Sequence, residues 1–224
     1  MTLRLVIFDV DGTLVDSQGD ILGAMGAAYA SEGLERPSRE DILSIVGLSL
    51  PQAFAVLAPA LAPEQRTRLV EGYKEAYAGL RLTGGPEASP LYPGIHALLN
   101  QLSARDDVLL GIATGKSRRG LTALLESHGL TQMFVTRQCA DGNPSKPHPA
   151  MLYTAIEEAG VEVEQAMMIG DTSYDMEMAR AAGIARIGVT WGYHPPEALV
   201  DAQHVVNDAV ALERAIDTIL GAMP

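Results

Sequence analysis

The sequence predicts an α/β protein with a doubly wound parallel sheet, a Rossmann-like core, and an inserted helical subdomain. Short apolar runs rich in β-formers alternate with helix-like stretches, which is the pattern of parallel βαβ units. The length of 224 residues exceeds one small domain and falls short of two full ones, which favours a core with an insertion. The runs that predict strands are Leu3–Phe8, Val108–Ala113, Ala166–Ile169 and Ala185–Val189.

The predicted helices of the core lie between and after these strands. Glycines at 129, 160 and 183 follow three of them, and glycine is the residue that most often ends a helix. Their predicted bounds are Ser117–His128, Ala150–Ala159, Tyr174–Ala182 and Val210–Leu220.

The segment from Asp16 to Gly85 breaks the alternation, because only helical patterns occur there. Ser38, with Asp41 three residues later, is typical of a helix start, and Pro63 opens a longer helix. The segment ends in TGGPEASPLYPG, which is rich in glycine and proline and predicts a hinge or linker. We therefore expect a core of residues 1–15 and 86–224 and a helical cap of residues 16–85.

The charge and the apolar pattern exclude some classes of partner. Twenty-eight acidic and sixteen basic residues leave a net charge of −12, which opposes binding to nucleic acid or to anionic membranes. A phosphate substrate would therefore need a local cationic site.

No apolar run has the length of a membrane span and the first residues do not resemble a signal peptide, so we expect a cytoplasmic protein. The single Cys139 cannot form an intrachain disulfide and is predicted to be a buried thiol.

Two carboxylates follow the first predicted strand, in the segment Leu5-Val-Ile-Phe-Asp9-Val-Asp11-Gly12. Asp9 and Asp11 should face the same way, at the sheet edge where ligands of doubly wound folds bind. Their mutual repulsion would be relieved by a hard divalent cation, and Mg²⁺ prefers carboxylate and phosphate oxygens. Asp9 would then attack phosphorus to form an aspartyl-phosphate, while Asp11 would act as general acid and base. Taken alone, the pair is equally typical of an acidic turn.

The segment FDVDGTLVDS resembles the first motif of haloacid dehalogenase-like phosphatases, in which the first Asp is the nucleophile and the second is the acid/base. VLLGIATGK resembles their second motif, and this implies that Thr114 and Gly115 bind the phosphoryl group. Lys146 in NPSKPHPAM resembles the lysine of the third motif, which neutralises the nucleophile and the phosphate. Outside this resemblance, a strand end and a solvated lysine explain the same residues.

The segment Met167-Met-Ile-Gly-Asp171-Thr-Ser-Tyr-Asp175 resembles the fourth motif. The resemblance implies that Asp171 completes a magnesium site with Asp9 and Asp11, and that Asp175 assists the metal or orients Lys146. An acid in the first turn of a helix is also expected from the helix dipole alone. The helical insertion corresponds to a type 1 cap, which closes over small phosphorylated metabolites and selects among them.

The function implied is a Mg²⁺-dependent phosphomonoester hydrolase, with 2-phosphoglycolate as the first candidate substrate because of the DGTLVDS start, the LYPG segment and the segment Val189–Tyr193. Pyrophosphatases, nucleotide phosphatases and sugar-phosphate phosphatases share these motifs.

A β-phosphoglucomutase-like enzyme is a second alternative, which Thr13 disfavours, since such mutases more often carry Val or Ile there. Asp11 disfavours a dehalogenase or phosphonatase. A binding protein would lack the nucleophile, the acid or the lysine, and all are present. No oligomeric state follows from the sequence.

Overall fold

The computed structural model describes residues 2–223 and contains one parallel sheet. Its strand order is β3-β2-β1-β4-β5-β6, so β1 lies at the centre and the chain reverses its direction of winding there. The strands are β1 (Arg4–Phe8), β2 (Val108–Ala113), β3 (Phe134–Gln138), β4 (Ala166–Gly170), β5 (Ala185–Val189) and β6 (His204–Val206).

Strand β1 is buried on both faces, which explains its unbroken apolar sequence. Val6 and Phe8 belong to one hydrophobic cluster, whereas Leu5 and Ile7 belong to a second cluster. Consecutive side chains of a strand point to opposite faces, so the two clusters lie on opposite sides of the sheet.

The core helices cover these two faces, and the four that were predicted agree with the prediction to within two residues at each end. Gly160 and Gly183 adopt the left-handed conformation at two of the helix ends, which confirms their predicted role. Cys139 is fully buried, as predicted. The core helices are α5 (Ile95–Ser103), α6 (Arg118–Ser127), α7 (Ala150–Ala159), α8 (Ser173–Ala182) and α9 (Ala209–Ala222).

The segment 16–85 folds into helices without any strand, all of it within the described residues. These helices have an apolar cluster of their own, in which Tyr29, Phe54 and Tyr73 pack together. The hydroxyl of Ser38 accepts a hydrogen bond from the Asp41 backbone and so begins the second helix, as predicted. The exact cap boundaries remain a prediction. The helices are α1 (Gln18–Ser31), α2 (Arg39–Ser44), α3 (Leu50–Leu57) and α4 (Pro63–Gly84).

Three elements were not predicted from the sequence. Strands β3 and β6 are the two edge strands and have mixed composition, FVTRQ and HVV, so they lack the continuous apolar run of the central strands. Helix α5 does carry apolar residues at helical spacing, Ile95, Leu98 and Leu102, and this pattern could have predicted the helix. The segment predicted as a linker is shorter than expected, because α4 extends to Gly84 and a 3₁₀ turn follows at Gly85–Ala88.

The fold brings the carboxyl ends of the parallel strands to one edge of the sheet, beneath the cap helices. None of the described helices is both long enough and apolar enough to cross a membrane. The predicted cytoplasmic location stays a prediction.

Candidate active site

Asp9 follows β1 directly and is almost completely buried. Its backbone amide donates a hydrogen bond to the Ile169 carbonyl at 2.9 Å, which ties the residue to β4. Its Oδ1 lies 2.9 Å from the Nζ of Lys146, whereas Oδ2 accepts no hydrogen bond from any described residue. Burial raises the pKa of Asp9 to about 7 although Lys146 opposes the rise. The site thus contains a buried carboxylate with a free oxygen.

Lys146 comes from the loop after β3 and is buried between two carboxylates. Its Nζ lies 2.9 Å from Asp9 and 2.6 Å from Asp175. Burial disfavours the charged ammonium, but these two carboxylates outweigh it and raise the pKa of Lys146 above its usual value. The ammonium is therefore held in place, and charged, beside Asp9.

Asp175 bonds to Lys146 and also caps the first turn of helix α8, which begins at Ser173. Its Oδ2 accepts hydrogen bonds from the Thr172 amide at 3.1 Å and the Thr172 hydroxyl at 2.7 Å, while its own amide donates to that hydroxyl. A Cβ at Gly170 would approach the Asp175 side chain to 2.4 Å, so this tight packing requires glycine there. Of the two roles predicted for Asp175, the contact with Lys146 is the one made directly.

Asp171 directly follows β4 and is fully buried. Its Oδ1 accepts a hydrogen bond from the Thr13 hydroxyl at 2.8 Å, and its Oδ2 accepts one from the Tyr193 amide at 2.8 Å. Added Cβ atoms at Gly12 and Gly192 would approach Asp171 to 2.2 Å, so both loops touch this carboxylate. Burial and the neighbouring Asp175 and Asp9 raise its pKa well above the ordinary value.

Asp9, Asp171 and Asp175 form the acidic group that fits a metal ion. One ligand oxygen of each lies within 4.8 Å of the others, and all three side chains are buried. The free Oδ2 of Asp9 and the high pKa of Asp171 both indicate negative charge that the protein alone does not compensate. Carboxylate oxygens in such a group suit Mg²⁺. Asp175 is bound by the Lys146 ammonium and by Thr172, whereas Asp171 accepts hydrogen bonds from neutral donors only and Asp9 keeps a free Oδ2, so Asp9 and Asp171 fit a cation better.

Asp11 lies near this group but is engaged by other partners. Both of its oxygens contact the Nζ of Lys116, at 2.7 and 2.9 Å, and Ser17 donates a hydrogen bond to it at 2.5 Å. Among the residues that the structure describes, the acidic group that fits a metal ion does not include Asp11. Its predicted role as a metal ligand therefore stays a prediction.

Thr114 and Gly115 follow β2 on the other side of Asp9. The Thr114 hydroxyl accepts a hydrogen bond from the Lys116 amide at 3.2 Å, so its own proton remains free to donate. Gly115 touches the cap, because a Cβ there would lie 2.5 Å from the Gly47 carbonyl and 2.7 Å from that of Leu48. The two predicted phosphate-binding residues thus lie where the core meets the cap.

Lys116 is a site residue that the sequence reasoning missed. Its Nζ contacts Asp11, donates to the Tyr77 hydroxyl of α4 at 2.9 Å, and lies 4.7 Å from the centre of the Tyr77 ring. Burial opposes its charge, but Asp11 and Tyr77 raise its pKa above the usual value. The sequence shows this lysine in the ATGK segment, but only the fold shows that it contacts Asp11 and Tyr77.

Three further contacts join cap and core. The Ser145 hydroxyl accepts a hydrogen bond from the Ser49 amide at 2.9 Å. His194 accepts from the Ser173 amide at Nδ1 and donates from Nε2 to the Ser44 carbonyl, which Tyr174 also contacts. Burial lowers the pKa of His194, in keeping with a neutral imidazole in these two bonds. The cap is thus hydrogen-bonded to the loops that carry the site.

The comparisons with known proteins agree with this geometry. The model of the haloacid dehalogenase-like hydrolase family matches residues 6–189. A probable phosphatase IndB of Dickeya dadantii is 36% identical over 202 residues, covering 89% of this chain and 86% of that protein. A phosphoglycolate phosphatase of Agrobacterium fabrum is 33% identical over 218 residues, covering 95% of this chain and 91% of that protein.

The fold is also that of solved relatives. The crystal structure of a predicted phosphatase from Clostridium acetobutylicum superposes with a TM-score of 0.85 at 26% identity, covering 97% of this chain and all of that one. These matches confirm the predicted fold class, and the relatives' names agree with the predicted phosphatase class. The chain belongs to the haloacid dehalogenase-like hydrolase family.

Proposed function

We propose that this enzyme hydrolyses phosphate monoesters with Mg²⁺ through an aspartyl-phosphate on Asp9. The observation that carries the proposal is the buried Asp9 carboxylate, which has one oxygen free and the other beside the Lys146 ammonium. A nucleophile needs a free electron pair, and the lysine favours the charged form of the carboxylate against the opposing effect of burial.

In the first step, Asp9 attacks phosphorus and the bond from phosphorus to the leaving alcohol breaks. Asp11 donates a proton to the leaving oxygen, so the product departs as a neutral alcohol. Lys146 and the free hydroxyl proton of Thr114 face the charge that spreads over the phosphoryl oxygens. The Gly115 amide is proposed as a further donor.

In the second step, water attacks the phosphorus of the aspartyl-phosphate and Asp11 accepts its proton. The bond between phosphorus and Asp9 breaks, which returns the carboxylate and releases inorganic phosphate. Ser17 and Lys116 hold the Asp11 carboxylate in one position, and we propose that the alcohol leaves and water enters beside it. The same residue thus serves both steps.

Asp9 and Asp171 are proposed to hold the Mg²⁺ ion, which supplies positive charge for the phosphoryl oxygens during transfer. The fit rests on the closeness of their buried oxygens and on the free Oδ2 of Asp9. Thr13 and the Tyr193 amide keep Asp171 turned toward Asp9. Asp175 orients Lys146 in this proposal.

The first candidate substrate is 2-phosphoglycolate, since the relative from Agrobacterium fabrum is named for it. The test is phosphate release from 2-phosphoglycolate, pyrophosphate, nucleoside monophosphates and sugar phosphates, with Mg²⁺ and with a chelator. We expect release from at least one monoester that stops when the metal is removed. Isomerisation of β-glucose 1-phosphate without phosphate release would favour the mutase alternative. Folded protein that releases no phosphate from any ester would refute the proposal.

A further inference from the structure

Two hydroxyl groups near Asp11, those of Ser17 and Tyr193, lie outside the cavity that would receive the substrate. This cavity of about 450 Å³ lies between core and cap, with Asp9 and Asp11 in its core side and residues of α1, α3 and α4 in its cap side. Ser17 and Tyr193 are not among the described residues that line it. Any effect of these two hydroxyls on the substrate would therefore act through Asp11.

Ser17 precedes α1, at the position where a serine side chain commonly caps a helix. Its hydroxyl makes no capping hydrogen bond with the described residues of α1, although the side chain is fully buried. The hydroxyl donates instead to Oδ1 of Asp11, at 2.5 Å. Ser17 thus constrains the Asp11 carboxylate rather than the start of its own helix.

Tyr193 extends this contact into a chain of hydrogen bonds that ends at Asp11. The Tyr193 hydroxyl accepts a hydrogen bond from the Ser17 amide at 2.9 Å and lies 3.1 Å from the Ser17 hydroxyl. An ionised carboxylate can only accept, so the one proton of the Ser17 hydroxyl points to Asp11, and the Tyr193 hydroxyl donates to Ser17. Successive hydrogen bonds of this kind strengthen one another.

This chain of hydrogen bonds distinguishes the two oxygens of Asp11. Oδ1 accepts from the Ser17 hydroxyl and from the Lys116 ammonium, whereas Oδ2 accepts only from Lys116 among the described residues. Oδ2 is therefore the oxygen with more room for a proton that moves to or from a substrate. The bond from Ser17 fixes which of the two oxygens takes that role.

The position of Tyr193 is fixed by contacts with both core and cap. Its amide donates to Oδ2 of Asp171 at 2.8 Å, and its side chain packs against the apolar cluster of the cap. The nearby Trp191 donates from its indole nitrogen to the Thr13 carbonyl at 3.1 Å. The Tyr193 hydroxyl is therefore a fixed point from which Ser17 and Asp11 can be held.

We propose that Tyr193 is a positioning residue for the general acid, and that it acts through Ser17 to keep Oδ2 of Asp11 directed at the leaving oxygen. This inference rests on the proposed function, since Asp11 must transfer the proton. As the bond from phosphorus to the leaving oxygen breaks, its electron pair takes the proton from Oδ2 and the alcohol departs neutral. Ser17 and Tyr193 keep their own protons throughout.

The test uses leaving groups that differ in their need for a proton. An alkoxide is strongly basic and leaves poorly unless it is protonated, whereas 4-nitrophenolate is stable as an anion. We compare kcat/KM for the best alkyl monoester of the substrate panel with kcat/KM for 4-nitrophenyl phosphate, because this parameter reports the steps up to the departure of the leaving group.

Tyr193→Phe should lower kcat/KM for the alkyl ester at least about tenfold, since a misplacement of about 1 Å can cost about a hundredfold. The same variant should change kcat/KM for 4-nitrophenyl phosphate by less than about twofold, because that leaving group does not need the proton. The ratio of the two values does not depend on the fraction of folded enzyme, so a loss of stability does not alter it.

Two further variants give the limits of the expected result. Asp11→Asn removes the proton itself and should lower the ratio by about a hundredfold or more. Tyr174 also packs against the apolar cluster of the cap, and its hydroxyl donates to the Ser44 carbonyl at 3.1 Å. Tyr174→Phe therefore removes a comparable hydrogen bond away from Asp11 and should leave the ratio within about twofold of the wild-type value.

A double variant tests whether Tyr193 acts through Ser17. Ser17→Ala should lower the ratio at least as much as Tyr193→Phe does. Adding Tyr193→Phe to Ser17→Ala should change the ratio by less than about twofold, because the tyrosine hydroxyl then has no hydroxyl to act through. Effects of the two single variants that multiply in the double variant would overturn the proposed chain of hydrogen bonds.

The remaining outcomes separate this inference from the proposed function. If Asp11→Asn lowers the ratio but Tyr193→Phe does not, or if Tyr174→Phe lowers it as much as Tyr193→Phe, the inference is wrong while Asp11 keeps its role. If Asp11→Asn affects both esters equally, the acid role fails and the inference fails with it. No Mg²⁺-dependent release from either ester would overturn the inference and the proposed function together.

Discussion

Asp11 is proposed to act as general acid and base, and an Asn substitution tests this role because it can keep the contact with Ser17. Asp11→Asn keeps the size of the side chain and its hydrogen bond with Ser17 but removes the proton donor and base. We expect kcat to fall by about 10²- to 10⁴-fold, the usual contribution of general acid–base catalysis. Steady-state kinetics measure the change, with Asp16→Asn as the control, since the Asp16 side chain bonds only to Gln18 among the described residues. An unchanged kcat for Asp11→Asn would contradict the role.

The ammonium of Lys146 forms ion pairs with two buried carboxylates, those of Asp9 and Asp175. Lys146→Met leaves Asp9 and Asp175 buried without their partner, and breaking a buried pair in this way costs about 3–5 kcal/mol in the free energy of unfolding. Urea denaturation measures the loss. Arg180→Met is the matched control, because its pair with Asp201 is exposed and contributes about 1 kcal/mol or less. Equal losses in the two variants would show that Lys146 does not hold the site together.

The residues of the first and fourth motifs were predictable because each follows a buried apolar strand. Asp9 and Asp171 lie at the ends of β1 and β4, which are neighbours in the sheet. The pairing of Lys116 with Asp11 was not predictable, because it joins residues 105 positions apart that follow the neighbouring strands β2 and β1. The same holds for Tyr193, whose amide reaches Asp171 from the loop after β5.

At the scale of elements, the position of the cap on the core depends on a close contact between Gly115 and the cap backbone. Gly115→Ala keeps the backbone amide but places a methyl group against the Gly47 and Leu48 carbonyls, so the cap must move away from the core. We expect kcat/KM to fall by about 10²-fold, the effect of misplacing groups by about 1 Å.

The control for this prediction is Gly79→Ala in α4, where an added Cβ meets nothing within 4 Å. That variant should keep its activity and gain about 0.5–1 kcal/mol in stability, as expected for alanine in a helix. If Gly115→Ala retained full activity, the contact between Gly115 and the cap would not matter for turnover.

The central strands and most core helices were predictable because continuous apolar runs and helical spacing mark buried elements. Strands β3 and β6 were not, since edge strands need fewer apolar residues and their composition resembles that of loops. The lining of the cavity was not predictable either. Which face of α3 and α4 turns toward Asp9 depends on how the cap packs on the core.

At the scale of the whole molecule, a bound metal should stabilise the fold. A ligand that binds only the folded state at one hundred times its Kd contributes about 2.7 kcal/mol, and each kcal/mol raises Tm by about 2–4 °C for a chain of this size. We therefore expect saturating Mg²⁺ to raise Tm and a chelator to reverse the rise, as measured by scanning calorimetry. Asp171→Asn should abolish the shift. A shift of equal size in that variant would contradict the proposed metal site.

The account as a whole predicts a covalent phosphoryl group on Asp9. The most direct measurement is to quench the enzyme in acid during turnover with Mg²⁺ and its best substrate, and to analyse its peptides by mass spectrometry. We predict that the peptide containing Asp9 carries the mass of one phosphoryl group, and that Asp9→Asn carries none and turns over more than about a thousandfold more slowly. A phosphoryl group on another residue, or full turnover by Asp9→Asn, would contradict the account.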